Sequence, residues 1–363
     1  MRIALVVVAP VVLAVAACGG KPADTKAVEV VKKDGGAVVA PIDARPAPLI
    51  ALPAAPPLPA VPPGLPALPD SPTIAAITPD ALALGELLFF DPRLAADNKT
   101  ACATCHDPAH DYAGPIDATA SDERNARRTP TLANLAWKKQ FGWDGRYDSL
   151  ADLLPVHVRG QQGNELADAV GRIADLPGYR AHLARVGGAA TDAAISALSA
   201  FVLTRYDGGA PWDRLEDAAK RPPANGKPDD VTAGYLLFVG KAQCGACHTP
   251  PLYTDLGFHR VRSTLATDPG RGKVDPNRVG AFATPTLRGA ANRVELFHDG
   301  AAHDLDGAVA MSLAPPVPGD KLPIDEAAQN IQLAPAEAAQ LVAFIRALSN
   351  RPLPSPQPRP TLP

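Results

Sequence analysis

Apolar residues in this chain recur with a helical period rather than in alternation. Ile195, Leu198, Phe201 and Val202 share one face of a helix predicted over Asp192 to Arg205, and Leu341, Phe344, Ile345 and Leu348 share one face of another over Ala336 to Leu348. Two shorter apolar runs, Ala83-Leu84-Gly85-Glu86-Leu87-Leu88-Phe89-Phe90 and Thr232-Ala233-Gly234-Tyr235-Leu236-Leu237-Phe238-Val239, are alike enough to mark an internal duplication. Thr78-Pro79 offers the first of them a capping hydroxyl and a first-turn proline. Strand-like alternation is almost absent. The pattern predicts a mainly α fold of two tandem domains with long loops, residues 73–225 and 226–351, divided where Pro, Asn and Gly cluster between Arg221 and Asp230.

The flanks read differently. Arg2, the apolar stretch Ile3 to Val15 and the small residues Val15-Ala16-Ala17 before Cys18 form an export signal over residues 1–18. The stretch falls short of the about 20 residues that a membrane-spanning helix needs. It resembles a lipoprotein signal, which would leave a lipid on Cys18 and hold the mature protein to a membrane facing the periplasm; an ordinary secretory signal or a short uncut anchor are the alternatives. Residues 19–72 are rich in Ala, Pro and Val and are expected to form a disordered, extended linker, with a similar tail over 352–363. A formal net charge of −3 neither demands nor excludes a basic protein partner. Nothing indicates nucleic-acid binding.

Cysteine usage changes the picture. Of five cysteines, four lie in Cys102-Ala103-Thr104-Cys105-His106 and Cys244-Gly245-Ala246-Cys247-His248, each preceded by one of the duplicated apolar runs. Disulfides, a zinc site from two C-x-x-C knuckles or a thioredoxin-like dithiol are alternatives. None accounts for a histidine after the second cysteine both times, whereas c-type haem attachment does: two thiols add across the vinyl groups and the histidine ligates iron. Two covalently bound haem c groups, with His106 and His248 as iron ligands, are expected in two cytochrome-c-like domains.

Leu87-Leu88-Phe89-Phe90-Asp91-Pro92-Arg93-Leu94, Cys105-His106-Asp107-Pro108, Thr129-Pro130-Thr131-Leu132, Trp143-Asp144-Gly145-Arg146, Asp268 to Arg271, Pro285-Thr286-Leu287-Arg288 and Phe297-His298-Asp299-Gly300 follow one another around the haem motifs. From Thr78 to Ser349 this succession resembles the bacterial di-haem cytochrome c peroxidase/MauG family. The resemblance implies that the N-terminal haem, backed by His106, meets hydrogen peroxide, and that the C-terminal haem, backed by His248, stores and relays electrons. It also implies that Trp143 lies between the haems, with a buried core aromatic as the compatible plain reading. Arg146 is expected to bond a haem propionate or to hold its loop.

Several family positions depart from the pattern. The distal glutamine is replaced by Leu153 and a pocket proline by His157, while Glu165 meets the distal glutamate when roughly two extra loop residues are allowed. His157 has three readings: distal acid-base, iron ligand, or a solvent-facing loop residue. His110, close behind the proximal ligand, is a poor candidate for the loop histidine that caps the reactive iron in many relatives. The sixth ligand of the relay iron falls on Ser312 without a gap; the adjacent Met311 is preferred as a thioether donor, with His303 in reserve. Arg128, Arg293 and Glu295 occupy the columns of an interdomain calcium site, so calcium is doubtful and a fixed charge pair of Arg128 or Arg293 with Glu295 is expected instead, unless all three are solvated surface charges. His259 and His298 are expected to support the second haem without ligating it, and His182 has no evident role.

Three functions fit: a peroxidase that takes electrons from a small cytochrome c or cupredoxin, a MauG-like oxidase of a protein or organic substrate, and a non-catalytic di-haem electron carrier. The peroxidase is preferred.

Overall fold

A computed structural model of the protein describes residues 49–114, 127–219, 228–262, 268–350 and 361–363. The export signal with Cys18, the first part of the linker and nearly all of the tail lie outside the described residues. Eleven α-helices are present among them: α1 (Pro72–Ala75), α2 (Pro79–Phe90), α3 (Cys102–Cys105), α4 (Leu150–Gln162), α5 (Leu166–Ala174), α6 (Pro177–Val186), α7 (Ala190–Leu203), α8 (Pro211–Ala219), α9 (Asp230–Val239), α10 (Leu305–Ser312) and α11 (Pro335–Ala347). A two-stranded antiparallel ribbon joins β1 (Phe258–His259) to β2 (Phe282–Ala283), with Phe258 opposite Ala283. The fold is mainly α, as expected.

The duplication reappears in three dimensions. α2 crosses α7 and α9 crosses α11, each pair forming the centre of one hydrophobic core. At the first crossing a Cβ on Gly85 would lie 2.0 Å from the Ala197 carbonyl oxygen; at the second, one on Gly234 would lie 2.0 Å from the Gln340 carbonyl oxygen. Glycine is required at both because the helix backbones touch. The Thr78 hydroxyl accepts from Ala81 N at 3.1 Å, capping α2 as the sequence predicts, and Asp229 caps α9 in the same way, accepting from Thr232 N at 2.8 Å. α7 ends at Leu203 because the Thr204 hydroxyl turns back onto the Ala200 carbonyl at 2.8 Å.

Two boundaries differ from expectation. Trp212, assigned to the first domain, is buried in the second core with ring centroids 4.7 Å from Tyr235 and 4.9 Å from Phe344. α8 therefore packs with the C-terminal half, and the cores separate between Leu203 and Trp212 rather than after residue 225. The described part of the Pro-rich linker is also not free. Its prolines lack N–H donors, but its carbonyls are taken up by the body. Arg185 donates to Leu52 and Pro53 at 2.5 and 2.6 Å, Trp137 Nε1 to Ala67 at 3.0 Å, Gly209 N to Pro63 at 2.6 Å and Arg288 to Gly64 at 2.5 Å. Residues 50–71 form a largely extended strap that touches both halves.

Candidate functional site

Both C-x-x-C-H copies are built the same way. After His106 the chain reverses through Asp111 and Tyr112, both left-handed (φ 60° and 52°), so that the Tyr112 carbonyl meets His106 Nδ1 at 3.0 Å. After His248 it reverses through Tyr253 (φ 53°), whose carbonyl meets His248 Nδ1 at 3.2 Å. The two family-like threonines lock these returns: Thr131 donates to the Asp111 carbonyl and Thr286 to the Leu252 carbonyl, each at 2.6 Å. A donor Nδ1–H fixes the tautomer and leaves Nε2 of each imidazole as a lone-pair donor for a metal. Burial, with a smaller contribution from His157, lowers the His106 pKa to about 4, and burial lowers that of His248. Both rings are therefore neutral and able to ligate at neutral pH.

Burial also lifts the thiols, Cys102 to about 12 and Cys244 and Cys247 to about 11. With no metal beside them these thiols are protonated at neutral pH. No three His, Cys, Asp or Glu side chains converge as a metal cage among the described residues, so the two C-x-x-C pairs do not form a shared knuckle.

α4 brings His157 to His106. Its N-cap Ser149 accepts from Asp152 N at 3.1 Å, and Leu150, Leu154 and Val158 turn inward to the first core. The His157 and His106 ring centroids are 6.1 Å apart with their planes at 47°. His157 is accessible to solvent, and the protein crowded around its ring lowers its pKa. Leu153 packs against the first core. Glu165 is placed elsewhere: it precedes α5 on the surface, where Arg159 Nη2 donates to it at 2.8 Å. Gln162, which sequence reasoning missed, is buried at the end of α4, donates to the Thr100 carbonyl at 3.0 Å and lies 3.9 Å from Cys102 Sγ. Its one sequence signal is position, a polar residue in register with Val158 on an otherwise inward face.

The second motif opens onto a cleft of about 1530 Å³ including its mouth, lined by Cys244, Cys247 and His248 and reached by Trp143 and Arg128 from the N-terminal half. Trp143 is buried; its indole N–H donates to the Arg128 carbonyl at 2.8 Å. The Trp143 ring lies 6.4 Å from His298, which stacks on Phe282 at 3.5 Å. His259 is held by Asp255 at 2.7 Å and by Asp325 on its other nitrogen, so both ring nitrogens are engaged. On α10, Leu305, Ala308, Val309 and Ser312 face the cleft. Met311 packs with the second core. Helical spacing thus presents Ser312, the ungapped column, and turns the expected ligand Met311 aside. His303 is exposed.

Charged groups fasten the halves around this site. Arg127 donates to Asp144 at 2.8 Å and to Asp268 at 2.6 and 2.8 Å, while Arg146 bonds Asp144 and Arg271 donates to the Asp144 and Gly145 carbonyls. Arg146 therefore holds its loop. Burial opposes ionisation of Asp144, but hydrogen bonds from Arg146 and Arg127 outweigh it and bring the pKa to about 2. Since this lies below the ordinary 3.8, the pairing stabilises the fold above about pH 4 and is lost as pH falls towards 2. Acid titration of thermal stability should show a fall in that window that is smaller in Asp144→Asn.

Of the two pairings expected for Glu295, with Arg128 or with Arg293, the one with Arg293 does not form. Arg293 is buried against Asp111, with Nη2 and Nε at 2.6 and 2.9 Å from one carboxylate oxygen, because Asp111 is the nearer anion at the domain contact. Glu295 acts on Arg128, whose pKa falls to about 9 chiefly through burial and the neighbouring Arg293. Arg128 Nη1 is buried without a hydrogen-bond partner among the described residues, at the wall of the second cleft. A lone-pair imidazole with adjoining protonated thiols in each half, and at the second cleft the unpartnered Arg128 Nη1, fit a carboxylate-bearing iron porphyrin.

The comparisons agree with this geometry. A profile of the di-haem cytochrome c peroxidase family, CCP_MauG, matches residues 79–220. The methylamine utilization protein MauG of Methylorubrum extorquens is 33% identical over 288 residues, covering 76% of this chain and 80% of that one. The cytochrome-c peroxidase IdrP1 of Denitromonas iodatirespirans is 30% identical over 320 residues, covering 75% and 82%. Among solved structures, a MauG-like protein associated with microbial copper homeostasis superposes with a TM-score of 0.66 at 21% identity, covering 84% of this chain and 97% of that one. With two matching C-x-x-C-H sites in duplicated helical halves and relatives of this identity along most of its length, the chain belongs to the di-haem cytochrome c peroxidase/MauG family of oxidoreductases.

Proposed function

We propose that the protein is a di-haem c-type peroxidase that reduces hydrogen peroxide to water with electrons from a small cytochrome c or cupredoxin, received at the C-terminal haem and passed to the N-terminal one. The observation that supports this most is the asymmetry of two otherwise repeated sites: His106 is faced by a second imidazole at 6.1 Å, whereas His248 opens onto a cleft shared with Trp143. Cys102 and Cys105, and Cys244 and Cys247, would hold the haems by thioether bonds, with His106 and His248 as the iron-ligating residues. When bound, haem supplies the redox-active iron at which peroxide is reduced and electrons are stored.

The protein's own contribution is to orient and to move protons. The Tyr112 and Tyr253 carbonyls hold the two imidazoles and raise the basicity of their ligating nitrogens. His157, neutral in its enclosed position, is the side chain suited to take a proton from peroxide and return one to the departing oxygen. Glu165, engaged by Arg159 on the surface, is the weaker candidate. Trp143 occupies the wall between the halves, where an aromatic can pass electrons. Per peroxide, two electrons and two protons yield two waters.

A MauG-like oxidase is the second reading, favoured by the likeness to MauG and by Trp143 set edge-on to His298, which stacks on Phe282. Peroxide consumption by the haem-loaded protein with a reduced small cytochrome or cupredoxin separates the two. The peroxidase should oxidise two donor molecules per peroxide. Peroxide-dependent oxidation of a protein or organic substrate, with the donor left reduced, would favour the oxidase. Export and lipidation at Cys18 belong to the same proposal, and Cys18→Ser should remove the protein from the membrane fraction.

A further inference from the structure

We infer that the C-terminal haem takes its sixth ligand from outside the chain: a small uncharged lone-pair donor, such as imidazole or carbon monoxide, that enters through a second cavity and binds beside Ser312. The inference rests on the di-haem reading and adds to it how the relay site is regulated.

The lining of the second cleft holds no side chain free to complete the iron. The side chains that bind haem iron are those of His, Cys, Met and Tyr. Among the described residues that line this cleft there is no Met and no Tyr, Cys244 and Cys247 belong to the attachment motif, and the histidines are His248, His259 and His298. His248 is the ligand from one face. His259 has both ring nitrogens engaged, by Asp255 and Asp325. His298 stands edge-on to Trp143 at the wall between the halves, with its ring stacked on Phe282. From α10 the cleft receives Leu305, Ala308, Val309 and Ser312, the first three without a donor atom. The Ser312 hydroxyl donates back to the Ala308 carbonyl at 2.9 Å. Met311, about 100° farther round the helix, packs with the second core.

Ser312 also marks a neck. Adjoining it is another cavity, about 1180 Å³ including its mouth, which shares Val261, Ser312, Leu313, Ala328 and Ile331 with the cleft. Its outer wall is the loop between α10 and α11, and that loop is fastened along one edge. Arg260 Nη1 donates to the Leu322 carbonyl at 2.6 Å, Nη2 bonds the Asp320 carboxylate, and Asp325 N donates to the Arg260 carbonyl at 2.9 Å. Pro315, Pro316 and Pro323 in the same wall have no N–H with which to close the cavity by bonding across it. The neck itself is apolar apart from Ser312, so it passes a small uncharged donor at far lower desolvation cost than an ion. A donor that binds ferric iron better than ferrous holds the relay haem oxidised, by reciprocal coupling, and so slows the supply of electrons to the first haem.

The test is ligand binding to the haem-loaded protein, followed by absorption and electron paramagnetic resonance. In wild type the second haem should show neither a thioether nor a bis-imidazole signature, turn low-spin on addition of free imidazole and, once reduced, bind carbon monoxide. Ser312→Met, which puts a thioether on the cleft face of α10, should make that haem low-spin and lower carbon monoxide uptake by one molecule per chain. Met311→Leu should leave spectra and uptake as in wild type. Ala328→Trp, at the neck, should slow carbon monoxide binding at the second haem alone, and an unaltered spectrum of the first haem shows that the variants are folded. A second haem that is already thioether- or imidazole-ligated in wild type, a ligand lost in Met311→Leu, or full uptake in Ser312→Met would overturn the inference. An unchanged binding rate in Ala328→Trp would overturn the route. Failure of the di-haem reading would look different, as a pyridine spectrum with fewer than two haems per chain.

Discussion

His106→Gly is expected to abolish hydrogen peroxide turnover while the second haem keeps its spectrum. Removing only the hydrogen-bond partner of a ligating histidine typically costs about 10–100-fold. Removing the ligand itself should exceed that. His106 is buried and its Nδ1 is fixed by the Tyr112 carbonyl in a loop with two left-handed residues, so no neighbouring side chain can take its place without rebuilding that loop. The first haem should remain attached through Cys102 and Cys105, which keeps the experiment interpretable, and added imidazole should restore part of the activity. The checks are turnover with a reduced donor and the absorption spectrum of each haem. Wild-type turnover in His106→Gly would show that peroxide reacts at the C-terminal haem, and the proposed direction of electron flow would be reversed.

Asp111→Asn should cause the largest loss of stability. Asp111 follows the first haem motif and Arg293 belongs to the second half, and their side chains are only 7% and 1% exposed. The substitution leaves a buried guanidinium without its counter-charge, a change that typically costs about 3–5 kcal/mol. At about 2–4 °C per kcal/mol for a folded body of this size, the melting temperature should fall by roughly 6–20 °C. Asp111→Asn combined with Arg293→Met should recover part of the loss, since the orphaned charge is gone. Scanning calorimetry of the holoprotein measures both. A loss below about 1 kcal/mol would mean that the pair behaves as a surface contact and not as a clamp between the halves. If Arg128 and Arg293 stand in for calcium at this contact, added calcium and chelator should leave the melting temperature where it is.

Local chemistry made much of this protein legible before any coordinate. C-x-x-C-H is read within five residues, and its meaning depends on thiol spacing and an adjoining imidazole. Helices α2, α7, α9 and α11 follow from apolar runs and periodicity, and the α2 cap from Thr78-Pro79, because each signal acts over a turn or two of one helix; which helix crosses which does not. A like apolar run before each C-x-x-C-H copy implied the duplicated architecture. Where the reading of the linker failed, the signal was local too: proline content excludes sheet and helix, but it does not exclude docking through carbonyls to Arg185, Trp137 and Arg288.

What the tertiary structure alone decided are meetings between distant residues and the rotation of single positions about a helix axis. Ser312 and Met311 are neighbours in sequence, but about 100° of helical turn separates them, and packing against α11 determined which one looks into the cleft. Arg293 had Glu295 two residues away, yet the close approach of the halves brought it Asp111, and in a buried site the nearer, better-desolvated anion wins. His157 could be counted from the sequence but not aimed. Its separation of 6.1 Å from His106 depends on how α4 packs on the first core and on a loop held by Thr131, and such long-range packing leaves no trace in the residues next to either histidine.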